Sequence, residues 1–290
     1  MILFLYIKSE ITKKRANIEN GKLIYKTMIN INKEEGFGND SFCTLFINGE
    51  VPVSASTFSN IANGRVGNDK FEIMGGDGQA PVLTSTNAAY GNYSFYFNNI
   101  GEIQRGIVLQ STSTNYNNWM FGEGDFAIDF MIRLGSNMSA LPIFSLYQNS
   151  NNYFELQAAA TTVGKPQLIL YWNITIGGVS ILQLERIDEV YFNFNTWYHA
   201  AFVRRVDNGK DTFTIFADGN YLTGSTNTTV SNIPYFRDVA LIGLTTLNGI
   251  NFWTITDCYL DEFRISKGHY RWKGNGALPS KGFTVRKRGY

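Results

Sequence analysis

Residues 196–222 read TWYHAAFVRRVDNGKDTFTIFADGNYL. Side chains of a strand alternate between faces, so Trp197, His199, Ala201 and Val203 share one face and Tyr198, Ala200, Phe202 and Arg204 the other. Both sets are largely apolar, which predicts a central strand covered on both sides. The DNGKD segment at residues 207–211 has the turn-forming residues of a hairpin connection, and residues 211–217 alternate as the next strand. Asp218-Gly219 then predicts a turn into a return strand, because glycine readily takes the positive φ of a tight hairpin.

The same alternation appears on either side of this stretch. FAIDFMIR, residues 126–133, sets Phe126, Ile128, Phe130 and Ile132 against Ala127, Asp129, Met131 and Arg133, which predicts a half-buried strand. YLDEFRIS, residues 259–266, sets Tyr259, Asp261, Phe263 and Ile265 against Leu260, Glu262, Arg264 and Ser266. Strict alternation sends Asp261 and Glu262 to opposite faces and makes Glu262 and Arg264 same-face neighbours. Two carboxylates so placed cannot flank one glycosidic bond at the ~5–9.5 Å that hydrolysis requires. Asp261, Glu262, Arg264 and Trp197 are therefore read as structural, with Asp261 tying down a turn or a partner strand. Further strands are predicted at residues 44–47, 93–97, 153–157, 167–172 and 239–243, separated by Gly, Asn, Asp and Ser, and no amphipathic helix is visible.

Hydrophobic residues make up 44% of the chain and charged residues 17%, enough for a sizeable core and too little charge for general disorder. Lys and Arg number 25 against 24 Asp and Glu, so a net charge of +1 supplies no global field for nucleic acid or an anionic membrane. The apolar run near the N-terminus, from Ile2 to Tyr6 or Ile7, is too short for a secretory core or a membrane span, and no glycosylation is read from the Asn-X-Ser/Thr triplets. Cys43 and Cys258 have no CxxC spacing and only two histidines accompany them, so no zinc set is expected. Both are taken as buried thiols, with their pairing left open. Residues 1–38 look like an N-terminal arm, residues 39–283 like one β-sandwich and residues 284–290 like a basic tail.

Taken in order, TLFINGE, STFSNIANGRVGN, YGNYSFYFNN, GEGDFAIDFMIR, TWYHAAFVRR, TFTIFADGNYL, LIGL and YLDEFRISKGHYRW resemble the laminin-G-like, concanavalin A-like jelly-roll domains of phage and viral structural proteins. The resemblance spans about residues 41–283 and implies an all-β jelly-roll sandwich of two antiparallel sheets. It departs at Met131, where the family often has an aromatic residue and a core swap is expected, and at residues 251–256. The function implied is that of a non-enzymatic virion structural or decoration protein on a capsid or tail. Its expected partners are other virion proteins and a host-surface glycan, in an oligomer or assembly, without nucleic acid or membrane insertion.

The same architecture also hosts glycoside hydrolases, so a polysaccharide depolymerase is the alternative. Its acids would be Glu123, Asp125 and Asp129 in EGDFAID, which share one face if the strand is unbroken, whereas a turn at residues 122–124 would separate them. His199 and His269 lack a nucleophile elbow and are read as structural. No cofactor is expected, with calcium as the one ion weighed: Asp207 and Asp211 in DNGKD, and the GGDG at residues 75–78, offer hard oxygen ligands. Sugar binding on such a fold uses exposed rings and amide hydrogen bonds, and the loop candidates are Tyr116, Trp119, Tyr147, Asn151 and Trp253.

Overall fold

A computed structural model describes residues 13–19, 22–28, 43–47, 52–54, 57–59, 70–75, 82–89, 92–97, 105–110, 121–135, 141–160, 168–188, 193–218, 220–236, 239–247, 251–254 and 257–268. The chain divides into two units, Met1–Asp40 and Ser41–Tyr290. In the first, β1 (Lys13–Glu19) and β2 (Lys22–Met28) pair antiparallel with Glu19 opposite Lys22. The residues between them are Asn20-Gly21, a dipeptide suited to two-residue hairpins. The segment expected as an arm thus carries a hairpin, with the basic KKR run in β1.

The second unit opens with β3 (Cys43–Ile47), β4 (Pro52–Ser54), β5 (Thr57–Ser59), β6 (Lys70–Gly75), β7 (Val82–Thr84), β8 (Ser94–Phe97) and β9 (Arg105–Gln110). Its longer strands follow: β10 (Phe126–Leu134), β11 (Leu141–Asn149), β12 (Asn152–Ala160), β13 (Leu168–Ile176), β14 (Val179–Asp188), β15 (Trp197–Asp207), β16 (Lys210–Ala217) and β17 (Asn220–Asn227). It ends with β18 (Val239–Ile242), β19 (Leu244–Leu247), β20 (Asn251–Thr254) and β21 (Cys258–Lys267).

One sheet runs β17-β16-β15-β10-β21-β8-β7, with β3 also paired to β21; the other runs β14-β13-β12-β11-β18-β9-β6-β5-β4. β19 and β20 form a separate ribbon. Every pairing among the described strands is antiparallel, so the expected two-sheet β-sandwich is what the chain forms. The predicted hairpins fall at β15–β16, where Asn208 and Gly209 take φ of 52° and 72°, and at β16–β17, where Asp218 takes φ of 47°.

The two sheets close on a core of aromatic and branched side chains. Trp172 of β13 lies at its centre, fully buried, with Phe126, Phe154, Phe202 and Phe213 at ring-centroid distances of 5.2–6.0 Å, all edge-on. Edge-to-face geometry sets the positive rim of one ring against the negative face of another, which adds to the burial of the rings themselves. Phe126, Ile128, Phe130 and Ile132 of β10 face this core as alternation predicts. β10 is not half-buried, however. Its other face is covered as well, with Ala127 at 0%, Asp129 at 1% and Met131 at 5% exposure. Met131 is buried as a core swap requires, on the outer face of the sheet opposite His199.

β21 departs from strict alternation. Asp129 pairs with Arg264 but Met131 pairs with Asp261, so Phe130 faces both Glu262 and Phe263 across a β-bulge, and Glu262 takes φ of 50°. Before the bulge, Cys258 and Leu260 enter the core; after it, Phe263 and Ile265 do. Asp261 and Arg264, not Glu262 and Arg264, share the outer face. An unbroken strand would have put either Asp261 or Arg264 among the core phenylalanines, where an ion is expensive.

Cys258 is a free thiol in the core, and burial, then the charge of Asp257, push it well above its ordinary value. Cys43 pairs with Ser266 at the far end of β21, on the order of 25 Å from Cys258 at ~3.3 Å per residue, so the two do not form a disulfide. Replacing Trp172 with alanine is expected to lower unfolding stability by about 3–5 kcal/mol through loss of buried surface and the remaining cavity. Urea denaturation followed by fluorescence measures this.

Candidate functional site

The outer face of the first sheet is organised in rows that cross its strands. In one row Trp197 of β15 is opposite Arg133 of β10, Arg133 is opposite Tyr259 of β21, and Tyr259 is opposite Tyr96 of β8. All four are partly exposed. Tyr96 and Tyr259 stack at 4.3 Å, the Arg133 guanidinium lies over the Tyr259 ring at 4.8 Å, and Trp197 meets Tyr259 edge-on at 6.2 Å. Register places these side chains side by side, so their stacking follows from strand pairing and not from loop conformation.

The ends of the strands brace this row. Asn195, with φ of 62°, donates its N–H to Leu134 O at 2.7 Å and accepts from Arg133 Nε at 3.0 Å. Gly135 donates to Asp257 O at 2.6 Å, and a Cβ on Gly135 would collide with the Asp257 carboxylate. The Tyr96 hydroxyl reaches Asp257 Oδ1 at 3.5 Å. Burial, then the charges of Asp257 and Tyr259, hold that hydroxyl above its ordinary pKa.

Behind the row the outer face is buried and polar. Arg264 donates from Nε and Nη2 to Asp129 Oδ2 and Oδ1 at 3.0 and 2.7 Å, and His199 Nε2 lies 3.2 Å from Oδ1. Asp261 accepts from Ala89 N at 3.2 Å and from Glu262 N at 2.8 Å, tying the β7–β8 connection to the bulge. Burial alone would raise the Asp129 carboxyl, but Arg264 and His199 outweigh it and hold it at about 2.

At the opposite end of β15, Arg204 and Asp211 form a second buried pair. Arg204 donates from Nε and Nη2 to Asp211 Oδ1 at 2.9 and 2.8 Å, from Nη1 to Gly122 O at 2.7 Å, and to Ser231 O. Asp211 Oδ2 accepts from Ser231 N at 2.7 Å. Asp207, by contrast, is exposed and pairs with Arg205. The two acids weighed for calcium therefore do not converge: Asp211 lies inside with both oxygens engaged, and Asp207 lies outside. Among the described residues no group of three or more His, Cys, Asp or Glu could hold a metal. Beside this end a cleft of about 410 Å³ is lined by Ser180, Thr226, Asn227, Thr228, Thr229 and Ser231, without an aromatic or charged residue.

The hydrolase acids are also separated. Glu123 is exposed in the turn after Gly122 (φ 59°), Asp125 accepts from Val206 N at 2.7 Å, and Asp129 is sealed in its ion pair. A carboxyl held at about 2 has no proton to donate near neutrality. Tyr147, expected on a loop, is in β11, 8% exposed and stacked on Tyr153 at 6.1 Å, because β11 extends to Asn149 before turning. Asn151 is exposed in that turn, and its N–H donates to Asn149 Oδ1 at 2.9 Å. Trp253 lies on β20 opposite Thr245. Tyr116, Trp119, His269 and residues 76–78 of GGDG fall outside the described residues. Sequence reading missed Tyr96, Arg133, Tyr259 and Asp257 as a group, because only strand order and register bring them together.

With this geometry in view, the solved structures provide the comparison. The crystal structure of the receptor binding domain of botulinum neurotoxin D matches over 79% of this chain and 50% of its own, at TM-score 0.50 and 10% identity. The binding domain of Paraclostridial Mosquitocidal Protein 1 matches over 79% and 50%, at TM-score 0.49 and 14% identity. The botulinum neurotoxin serotype C1 binding domain matches over 79% and 49%, at TM-score 0.49 and 12% identity. The chain thus spans about half the length of these structures, and at such identity the likeness is one of fold alone. No family model matches the sequence, and no curated protein matches it.

Asp129 supports a pH prediction. Its folded value lies below its ordinary 3.8, so its contribution is complete above about pH 4 and is lost as pH falls toward about 2. The difference corresponds to about 2 kcal/mol. Thermal melts from pH 7 to 2 are expected to show that loss in the native protein. In Asp129→Asn the acid limb should flatten over this window, from a lower starting stability, because Arg264 keeps a buried charge without its counterion.

Proposed function

We propose that this chain is a non-enzymatic recognition module whose lectin-like sandwich engages a glycan through the Trp197–Arg133–Tyr259–Tyr96 row. One observation supports this reading: three aromatic side chains and a guanidinium are held partly exposed, in register, on adjacent strands. Rigid half-exposed rings with polar groups at their edges suit the alternating apolar faces and hydroxyls of sugars. The separated acids Glu123, Asp125 and Asp129 favour binding without cleavage. We place the module on a virion, as a decoration or structural protein of capsid or tail among other virion proteins, on the strength of its ordered resemblance to phage and viral jelly-roll domains. The ligand is then a host-surface glycan.

A glycan array probed with the purified protein, with and without calcium, tests the reading, followed by a product assay on every hit. Binding without released oligosaccharide is expected, weakened about tenfold or more in Trp197→Ala. Binding that survives this change would move the site elsewhere, and released product would make the chain a depolymerase.

A further inference from the structure

We infer that Arg133 is the anion anchor of the recognition row and that the ligand it selects is a carboxylate-bearing saccharide, a sugar acid and not a neutral sugar. This rests on the glycan-binding reading above. Among the described residues other arginines use their donors within the chain: Arg204 on Asp211, Arg264 on Asp129, and Arg205 on Asp207. Arg133 differs. Its Nε is committed to Asn195 O and its plane to the face of Tyr259, while Nη1 and Nη2 have no partner among the described residues.

The two contacts that Arg133 does make fix its orientation before any ligand arrives. The Asn195 carbonyl is itself held by the N–H of Asn195 on Leu134, and Tyr259 is backed on its second face by Tyr96. A guanidinium so pinned gives up little rotamer freedom on binding, and its Nη1 and Nη2 groups form a planar fork that matches a carboxylate. Asp257 is the opposing charge of the site, beside Tyr96 at the edge of the row. Tyr259 has both faces occupied, by Tyr96 and by Arg133, so it serves to hold the stack. Trp197, partly exposed at the other end of the row, supplies stacking surface for a sugar ring.

The test uses the full chain on an array carrying carboxylated, sulfated and neutral saccharides, with the folding of each variant checked by its melting temperature. Carboxylated saccharides are expected to bind, with affinity falling as salt rises. Arg133→Gln should weaken them about ten- to a hundredfold, from loss of a charged bidentate contact. Arg133→Lys should still lose several-fold, because it keeps the charge but not the fork. Asp257→Asn should strengthen binding by removing like-charge repulsion. Neutral saccharides that bind, lose affinity in Trp197→Ala and ignore Arg133→Gln would overturn this inference and leave the proposed function standing. Preference for sulfated saccharides, fully kept in Arg133→Lys, would overturn the carboxylate assignment. Absence of any bound saccharide would overturn both readings.

Discussion

The bulge at Glu262 is the constraint on which the outer half of the molecule depends. β21 lies in the middle of its sheet, paired with β10, β8 and β3, and its sequence alternates apolar and charged residues on both sides of Glu262 but out of phase. One extra residue restores the phase. Leu260, Phe263 and Ile265 then all enter the core, and Asp261 and Arg264 both leave it. The positive φ of Glu262 is a backbone cost of order 1 kcal/mol or more. Placing an ion among Phe130, Phe144 and Phe263 would cost several times that.

Two buried ion pairs accompany this arrangement, one beside the bulge on β10 and β21 and one between β15 and β16. Asp129–Arg264 joins β10 to β21, and Ala89 on Asp261 fastens the β7–β8 connection to the same face. Arg204–Asp211 ties the turn at Gly122 and the loop at Ser231 to the ends of β15 and β16. Buried pairs add little net stability compared with apolar replacements, because desolvation offsets most of the attraction. Each pair joins segments distant in the chain, while the largest fully buried side chain, Trp172, sits in the aromatic core.

The recognition row inherits its order from these elements. Loops carry binding residues in many proteins, but a loop must be ordered again at each encounter. Here the residues belong to four paired strands, and only their flanking contacts, Asn195 and Asp257, come from connections. Such a surface is preorganised, which conserves binding free energy for the ligand.

Much of the architecture was legible in the sequence. Alternation in residues 126–133 and 196–222 was enough to assign β10, β15, β16 and β17 and the inward set Phe126, Ile128, Phe130 and Ile132, because the period of two is a local property of an extended chain. Asn20-Gly21 could have revealed the β1–β2 hairpin by the same local rule. The candidate site was less legible. Loop aromatics were favoured by composition, yet Tyr147 proved to be a strand residue, and Tyr96, Arg133, Trp197 and Tyr259 are far apart in the chain. The sequence by itself determined the long alternating strands, the turns of the 196–222 stretch and the all-β class. Only the tertiary structure decided the bulge, the ion-pair partners and the row, because strand order and register bring together residues between which no local pattern exists.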